Sequence, residues 1–235
     1  MKAMIFAAGR GERMRPLTDT CPKPLLKVRG RPLIEWHVLN LVRAGMKEIV
    51  INHAHLGHMI EAHLGDGSRF GATIHYSAEA EALETAGGIA NARHLLGEEP
   101  FFAVSGDIYC PHFDFSQVTD VLHDKDMWGN PYPDDKRDIA WIWLVKNPDF
   151  HPKGDFALNL YTVSNTGQPT YTFANLGVYR MSMFDGIAPG QHAGLGKLLR
   201  EYADQGRIGG ELYEGDWDNV GTPQQLEQLN AGLRA

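Results

Sequence analysis

The sequence predicts an α/β protein: a Rossmann-like, doubly wound, mainly parallel mixed sheet with an antiparallel extension. Three observations predict it. Short apolar runs alternate with helical patterns as far as Asp107, the sign of right-handed crossovers that leave helices on both faces of a parallel sheet. A glycine-rich turn follows the first apolar run directly. Beyond about Phe113 several strand candidates come in succession, as an antiparallel or mixed extension requires.

Taken in order, the first strand runs from Ala3 to Ala8, and Lys27–Val28 is a short extended piece before Gly30. Pro32 suits the first turn of a helix carrying Leu33, Trp36, Leu39, Leu41 and Val42 and stopping at Gly45. Ile49–Ile51 is a strand, Met59–Leu64 a helix closed by Gly65, Thr73–Tyr76 a strand, and Gly88–Leu96 a helix closed by Gly97. Phe101–Val104 is a strand leading into Ser105-Gly106-Asp107. A helix from Ser116 to Asp124 follows. Met127 to Asp138, rich in Pro, Gly and Asp, reads as a loop excursion with Trp128 and Tyr132 as its apolar contacts. Ile139–Val145, Phe156–Thr162, Pro169–Phe173 and Leu176–Arg180 are strands, and Leu195–Gln205 and Pro223–Leu233 are helices. No repeat or low-complexity linker interrupts the chain, so residues 1–235 are expected to form one domain.

The chemistry concentrates between Ala7 and Leu26. Gly9 and Gly11 allow positive φ and a close backbone approach, so that successive N–H groups point at phosphate oxygens. Arg10, Arg13 and Arg15 add guanidinium forks, and Lys23 adds a compact charge. The loop fits neither a Walker A pattern nor a dinucleotide fingerprint, which would need glycine or alanine where Met14 stands. Asp107 ends a buried-looking strand after a glycine, at the carboxyl edge where ligands of open α/β sheets gather.

Composition narrows the partner. A net charge of −7 argues against nucleic acid or an anionic membrane and for a small polyanion. Apolar residues make up 43% of 235, enough for a sizeable core. The two cysteines, Cys21 and Cys110, lack metal-type spacing and point to a reducing, cytoplasmic setting. No run of about 18 apolar residues occurs. His53, His55, His58 and His63 lack the i, i+4 pairing of a zinc site.

The run from Ala8 to Leu25 combines Ala-Gly-x-Gly-x-Arg-x-x-Pro-x-Thr with Pro-Lys-Pro-Leu, and this resembles the signature loop of the sugar-1-phosphate nucleotidylyltransferases. Over nearly its full length the chain is most similar to those that transfer uridylyl groups to N-acetylmuramate 1-phosphate. Glu12-Arg13-Met14-Arg15, Ile51-Asn52-His53-Ala54, the segment Leu64 to Gly71, Leu83-Glu84-Thr85 and Gly154-Asp155-Phe156 carry that likeness. The resemblance implies the nucleotide-diphospho-sugar transferase fold, with a nucleotide half over about 1–112 and an acceptor half over about 113–235. UTP and a sugar 1-phosphate are the implied partners.

The resemblance also implies roles. Ala7, Ala8, Gly9, Gly11, Glu12, Arg13 and Lys23 would hold the nucleotide, with Arg13, Lys23 and Asp107 catalytic. Mg²⁺, which takes one or two carboxylates plus substrate phosphates, would sit on Asp107. The second ligand falls within Trp217-Asp218-Asn219-Val220-Gly221-Thr222, where Asn219 stands in place of an aspartate and Asp218 is the reserve. Glu79 occupies the position that reads a pyrimidine edge, and a carboxylate there accepts the N3–H of uracil or thymine. Glu84, where the family has glycine, Thr85 and Gly88 complete that side. Asn147, Gly154, Asp155 and Asn175 are the acceptor-site expectations, with Lys153 for an acid group or phosphate. Two other readings are a nucleotidylyltransferase for mannose or glucose 1-phosphate using GTP, UTP or dTTP, and a non-catalytic nucleotide-sugar-binding regulatory module.

Overall fold

The computed structural model describes residues 1–124, 128, 130–134 and 136–232. Nine strands make one sheet: β1 (Ala3–Ala7), β2 (Glu48–His53), β3 (Thr73–Ala78), β4 (Phe101–Ser105), β5 (Ala140–Val145), β6 (Phe156–Asn159), β7 (Thr162–Ser164), β8 (Thr170–Tyr179) and β9 (Ile208–Leu212). Their order is β3-β2-β1-β4-β8-β5-β9-β7-β6, and β8 also pairs with β6. Strands β1 to β4 run parallel. β8 is antiparallel to β4, β5 and β6, while β9 runs parallel to β5.

Alternation along each strand sends neighbouring residues to opposite faces. Ile5, Ile49, Ile51 and Val104 enter one core with α1 (Leu33–Arg43) and α2 (Gly57–Leu64). Met4, Val50, Phe101 and Ala103 enter the other. That second core is covered by α3 (Glu84–Asn91), the short α4 (Arg93–Leu96) and α5 (Leu195–Asp204). The doubly wound expectation therefore holds. A smaller cluster of Met14, Val28, Leu33, Tyr109, Val220 and Leu226 fixes α6 (Pro223–Asn230) beneath the N-terminal loop. The Thr222 hydroxyl caps α6 by accepting from the Gln225 amide.

Several elements depart from expectation. The buried face of α1 is Leu33, Ile34, His37, Val38 and Leu41, with Trp36 and Leu39 only half-buried. The region expected as helix from Ser116 is 3₁₀ over Phe115–Asp120. Phe156–Thr162 is not one strand but the start of a hairpin, β6 to β7, turning at Leu160, whose φ is +54°. Pro169–Phe173 and Leu176–Arg180 belong to one long strand whose register shifts between Phe173 and Gly177, with Asn175 in the left-handed region there.

Strand β9 was not anticipated, because Gly209-Gly210 reads as a break. Side chains there would meet Trp141 Cε3 at 2.5 Å and the Ile142 carbonyl at 2.5 Å, so close packing onto β5 requires both glycines. Trp128 and Tyr132 are exposed. Met127, at the start of the expected excursion, and Leu233, at the end of the expected last helix, lie outside the described residues.

Candidate active site

The strand ends β1 and β4 place the Gly9 loop beside Asp107. β1 runs into Ala8-Gly9, and β4 into Ser105-Gly106-Asp107, where the Gly106 amide donates to the Phe6 carbonyl at 2.9 Å. A side chain at Gly106 would sit 2.8 Å from that same carbonyl, so glycine is needed for the approach. The loop between Gly11 and Leu26 winds through three 3₁₀ turns, Glu12–Met14, Leu17–Asp19 and Lys23–Leu25. Only one of the two expected loop glycines takes positive φ: Gly11, at +71°. Gly9 instead faces open space, with no protein atom within 4 Å of where a side chain would start.

The loop cations divide. Arg10 donates to the Thr18 carbonyl at 2.8 Å and to Asp19 Oδ1 at 3.0 Å, and Arg15 pairs with the same carboxylate at 2.9 Å. Both also lie 3.7 Å from Glu12. They brace the loop rather than face a ligand. Arg13 has no such partner among the described residues and lines a cavity instead. Lys23 is buried, with Nζ 2.5 Å from Asp107 Oδ2.

Two adjoining cavities meet here. The first, about 310 Å³, is lined by Ala7, Ala8, Gly9, Lys23, Glu84 and Asp107. The second, about 480 Å³, includes Arg13, Asp155, Asn175, Arg200, Trp217 and Asn219. Phe6, Thr85 and Ser105 border both. Thr85 is held there by its hydroxyl, which accepts from the Leu195 amide at 3.0 Å.

Asn219 reaches the same place from the far end of the chain. Asp218–Asn219 pairs antiparallel with Ile108–Tyr109, and the Val220 amide donates to the Asp107 carbonyl at 2.9 Å. The Asn219 Oδ1 is a buried acceptor without a hydrogen-bond partner. A buried carbonyl-type oxygen left unmatched is costly and suits a cation. Among the described residues no three His, Cys, Asp or Glu side chains converge as a metal cage. Asp107 and Asn219 are therefore a partial set, which fits an ion that completes its shell with substrate oxygens.

The residues expected at the base divide. Glu79 is buried, and its two oxygens accept from Asn52 Nδ2 at 2.7 Å and the Leu83 amide at 2.8 Å, while Asn52 Oδ1 accepts from the Ala7 amide at 3.1 Å. Its carboxylate closes a turn and fixes β1 against β2 instead of lining the cavity. Gly88 packs beneath that network: a side chain would lie 2.7 Å from Asn52 Nδ2 and 2.9 Å from Glu79 Oε1. Glu84 does border the cavity, with its backbone at φ +62° and Oε2 over Gly194, 2.7 Å from where a side chain would begin.

The acceptor-side expectations also separate. Asn175 and Asp155 line the larger cavity. Asp155 is pre-set by its Oδ2, which accepts from the Phe173 amide at 2.8 Å, and by His151 Nε2 at 3.1 Å from Oδ1. Asn147 does not line that cavity: its amide donates to the Pro152 and Thr170 carbonyls, and its Oδ1 accepts from Thr172. Gly154 serves the same turn, with Asn147 Oδ1 2.6 Å from its missing side chain. The Lys153 side chain is exposed and outside the cavity. Arg200 and His151, absent from the sequence expectations, also line this end. A lone arginine on an amphipathic helix carries no signal of the cavity that α5 overhangs.

Buried beneath Asp107 lies His37, whose pKa is pushed down to about 4, chiefly by burial, against smaller opposing effects from the Ile108 backbone and the Asp107 charge. It does not line either cavity.

Known proteins bear on this geometry. A sequence profile of the nucleotidyl transferase family matches residues 2–129. The chain is 48% identical over 235 residues to an N-acetylmuramate alpha-1-phosphate uridylyltransferase of Neisseria meningitidis serogroup B, covering 98% of this chain and 97% of that one. It is 32% identical over 243 residues to the enzyme of the same description from Caulobacter vibrioides, covering 98% and 96%. A Bacillus anthracis crystal structure described as a glucose-1-phosphate thymidylyltransferase superposes with a TM-score of 0.79 at 21% identity, covering 100% of this chain and 95% of that one. HddC from Yersinia pseudotuberculosis, complexed with GMP-PN, gives 0.71 at 16% identity, covering 98% of each chain. At those identities the two structures speak for the fold alone.

Proposed function

Because this chain belongs to the nucleotidyl transferase family, we propose that it joins UTP and N-acetyl-α-muramate 1-phosphate to give UDP-N-acetylmuramate and pyrophosphate. The observation that carries the reading is the junction of two cavities over the Lys23–Asp107 pair: one walled by the glycine loop, one reaching the acceptor half. The near full-length similarity to two muramate uridylyltransferases supports the choice of substrates.

An oxygen of the acceptor phosphate attacks the α-phosphorus of UTP, a new P–O bond forms in line, and the bond to the β-phosphate breaks to release pyrophosphate. The reacting groups are all anionic, so positioning and charge neutralisation dominate. Lys23 neutralises the α-phosphate. Arg13 and the backbone from Gly9 to Glu12 hold the departing phosphates, while Arg10 and Arg15 keep that loop in shape. Glu79, one step removed, fixes Asn52 and the Leu83 amide so that the Ala82 to Thr85 backbone meets the uracil. Asp155 and Asn175 meet the sugar.

Asp107 and the Asn219 amide oxygen would hold Mg²⁺, which would supply positive charge to offset the reacting phosphates. Residues 1–235 act as one catalytic unit with a nucleotide half and an acceptor half. The product belongs to cell-wall sugar recycling in the cytoplasm.

Pyrophosphate release, measured with Mg²⁺ across UTP, dTTP, CTP and GTP against N-acetylmuramate, N-acetylglucosamine, glucose and mannose 1-phosphates, tests the reading. The expected result is strong release with UTP and the muramic acceptor. Stronger release with another pair would retain the reaction and replace the substrates.

A further inference from the structure

We propose that Arg200 is the carboxylate-binding residue of the acceptor cavity, and that it selects a sugar 1-phosphate bearing an acidic side group over its neutral counterpart. The inference rests on the function proposed above. N-acetylmuramate 1-phosphate carries two anionic groups, a phosphate at one end of the ring and a lactyl carboxylate on the other side. N-acetylglucosamine 1-phosphate differs by lacking the lactyl ether.

The larger cavity has two chemically different ends. At one lie Ser105, Arg13 and Asn219, against Asp107, where the reacting phosphate must be delivered. At the other lie Asp155, Phe156 and Arg200, where β6 pairs with the Thr170–Tyr171 end of β8. A ring whose phosphate occupies the first end turns its remote substituent toward the second.

Arg200 is held for this task. Its Nη1 donates to the Asp155 carbonyl at 3.1 Å and to Asn165 Oδ1 at 3.4 Å, and the guanidinium lies 5.0 Å from the Phe156 ring centroid. Those contacts fix the plane of the fork without spending its charge: among the described residues no carboxylate pairs with it. Asp155, beside it, directs its two oxygens to His151 and the Phe173 amide and offers Arg200 only its carbonyl. A planar, stacked, unpaired guanidinium is suited to bidentate capture of a carboxylate. Lys153, the residue expected for an acid group, lies outside the cavity.

The test compares kcat/KM for N-acetylmuramate 1-phosphate and N-acetylglucosamine 1-phosphate at saturating UTP and Mg²⁺, in the wild type and in Arg200→Ala, Arg200→Gln and Arg200→Lys. Calorimetric binding of both sugar phosphates is the readout independent of turnover. The ratio of the two specificity constants should fall roughly 10- to 100-fold in Arg200→Ala and Arg200→Gln, since a hydrogen-bonded charge is lost for one substrate only. Arg200→Lys should recover part of it. A ratio retained while both constants fall together would make Arg200 a packing residue and overturn the assignment. A wild type preferring the neutral acceptor would overturn the proposed substrate, and the role of Arg200 with it. A wild type preferring the muramic acceptor, with the preference intact in the variants, would overturn Arg200 alone.

Discussion

Lys23 Nζ lies 2.5 Å from Asp107 Oδ2, across 84 residues of sequence, so a group assigned to the nucleotide phosphate and one assigned to the metal hold each other. Both side chains line the smaller cavity, where substrate and cation would have to exchange into that contact. Lys23→Ala should lower kcat roughly 10²- to 10³-fold, with a smaller change in KM for the sugar phosphate. Asp107→Ala should lose Mg²⁺-dependent turnover, and the double variant should cost less than the two single losses combined. Pyrophosphate release measures all three, and additive losses would mean the pair does not act as a unit.

Asn219 presents a buried, unmatched oxygen where a carboxylate would add charge. Asn219→Asp should lower the Mg²⁺ concentration for half-maximal activity, and Asn219→Ala should raise it. Chelation with EDTA should stop turnover in each. A half-maximal concentration equal in all three forms would remove residue 219 from the metal site.

Glu84 has φ +62°, a conformation that costs a side chain roughly 1 kcal/mol and glycine little. Glu84→Gly should therefore melt a few degrees above Glu84→Ala, which keeps the strain and loses the carboxylate. Scanning calorimetry decides it; equal melting temperatures would show that the turn relaxes without glycine.

His37 stays neutral down to about pH 4 in the fold, against 6.5 in an unfolded chain. The native state keeps this advantage in full above about pH 6.5 and loses it as pH drops toward 4, by roughly 3 kcal/mol. Urea unfolding between those values should show a shallower pH slope for His37→Gln than for the wild type. Parallel slopes would mean that His37 takes its proton without unfolding.

The sheet was legible because its parallel strands are short continuous apolar runs, such as Met4-Ile5-Phe6 and Ile49-Val50-Ile51, as burial on both faces requires. The glycine loop was legible because its residue types are specific to anions. What the loop cations do was not, since Arg10, Arg13 and Arg15 look alike in sequence and only the fold brings Asp19 to two of them. Glu79 shows the same limit: its partners Asn52 and Leu83 come together through the β2 and β3 crossovers. Arg200 depends on α5 leaning over β6, a tertiary relationship with no local signal.

Strand β8 joins the parallel strands to the hairpin of β6 and β7. Its Leu176–Tyr179 end is laddered to β4, and Thr170–Tyr171 to β6, at the two ends of the acceptor cavity. Hinge closure would have to tear this common beam. The scaffold is accordingly a rigid chassis, and the accommodation of two substrates falls to side chains and rim turns, where ordering costs entropy residue by residue and each substitution can be tuned on its own.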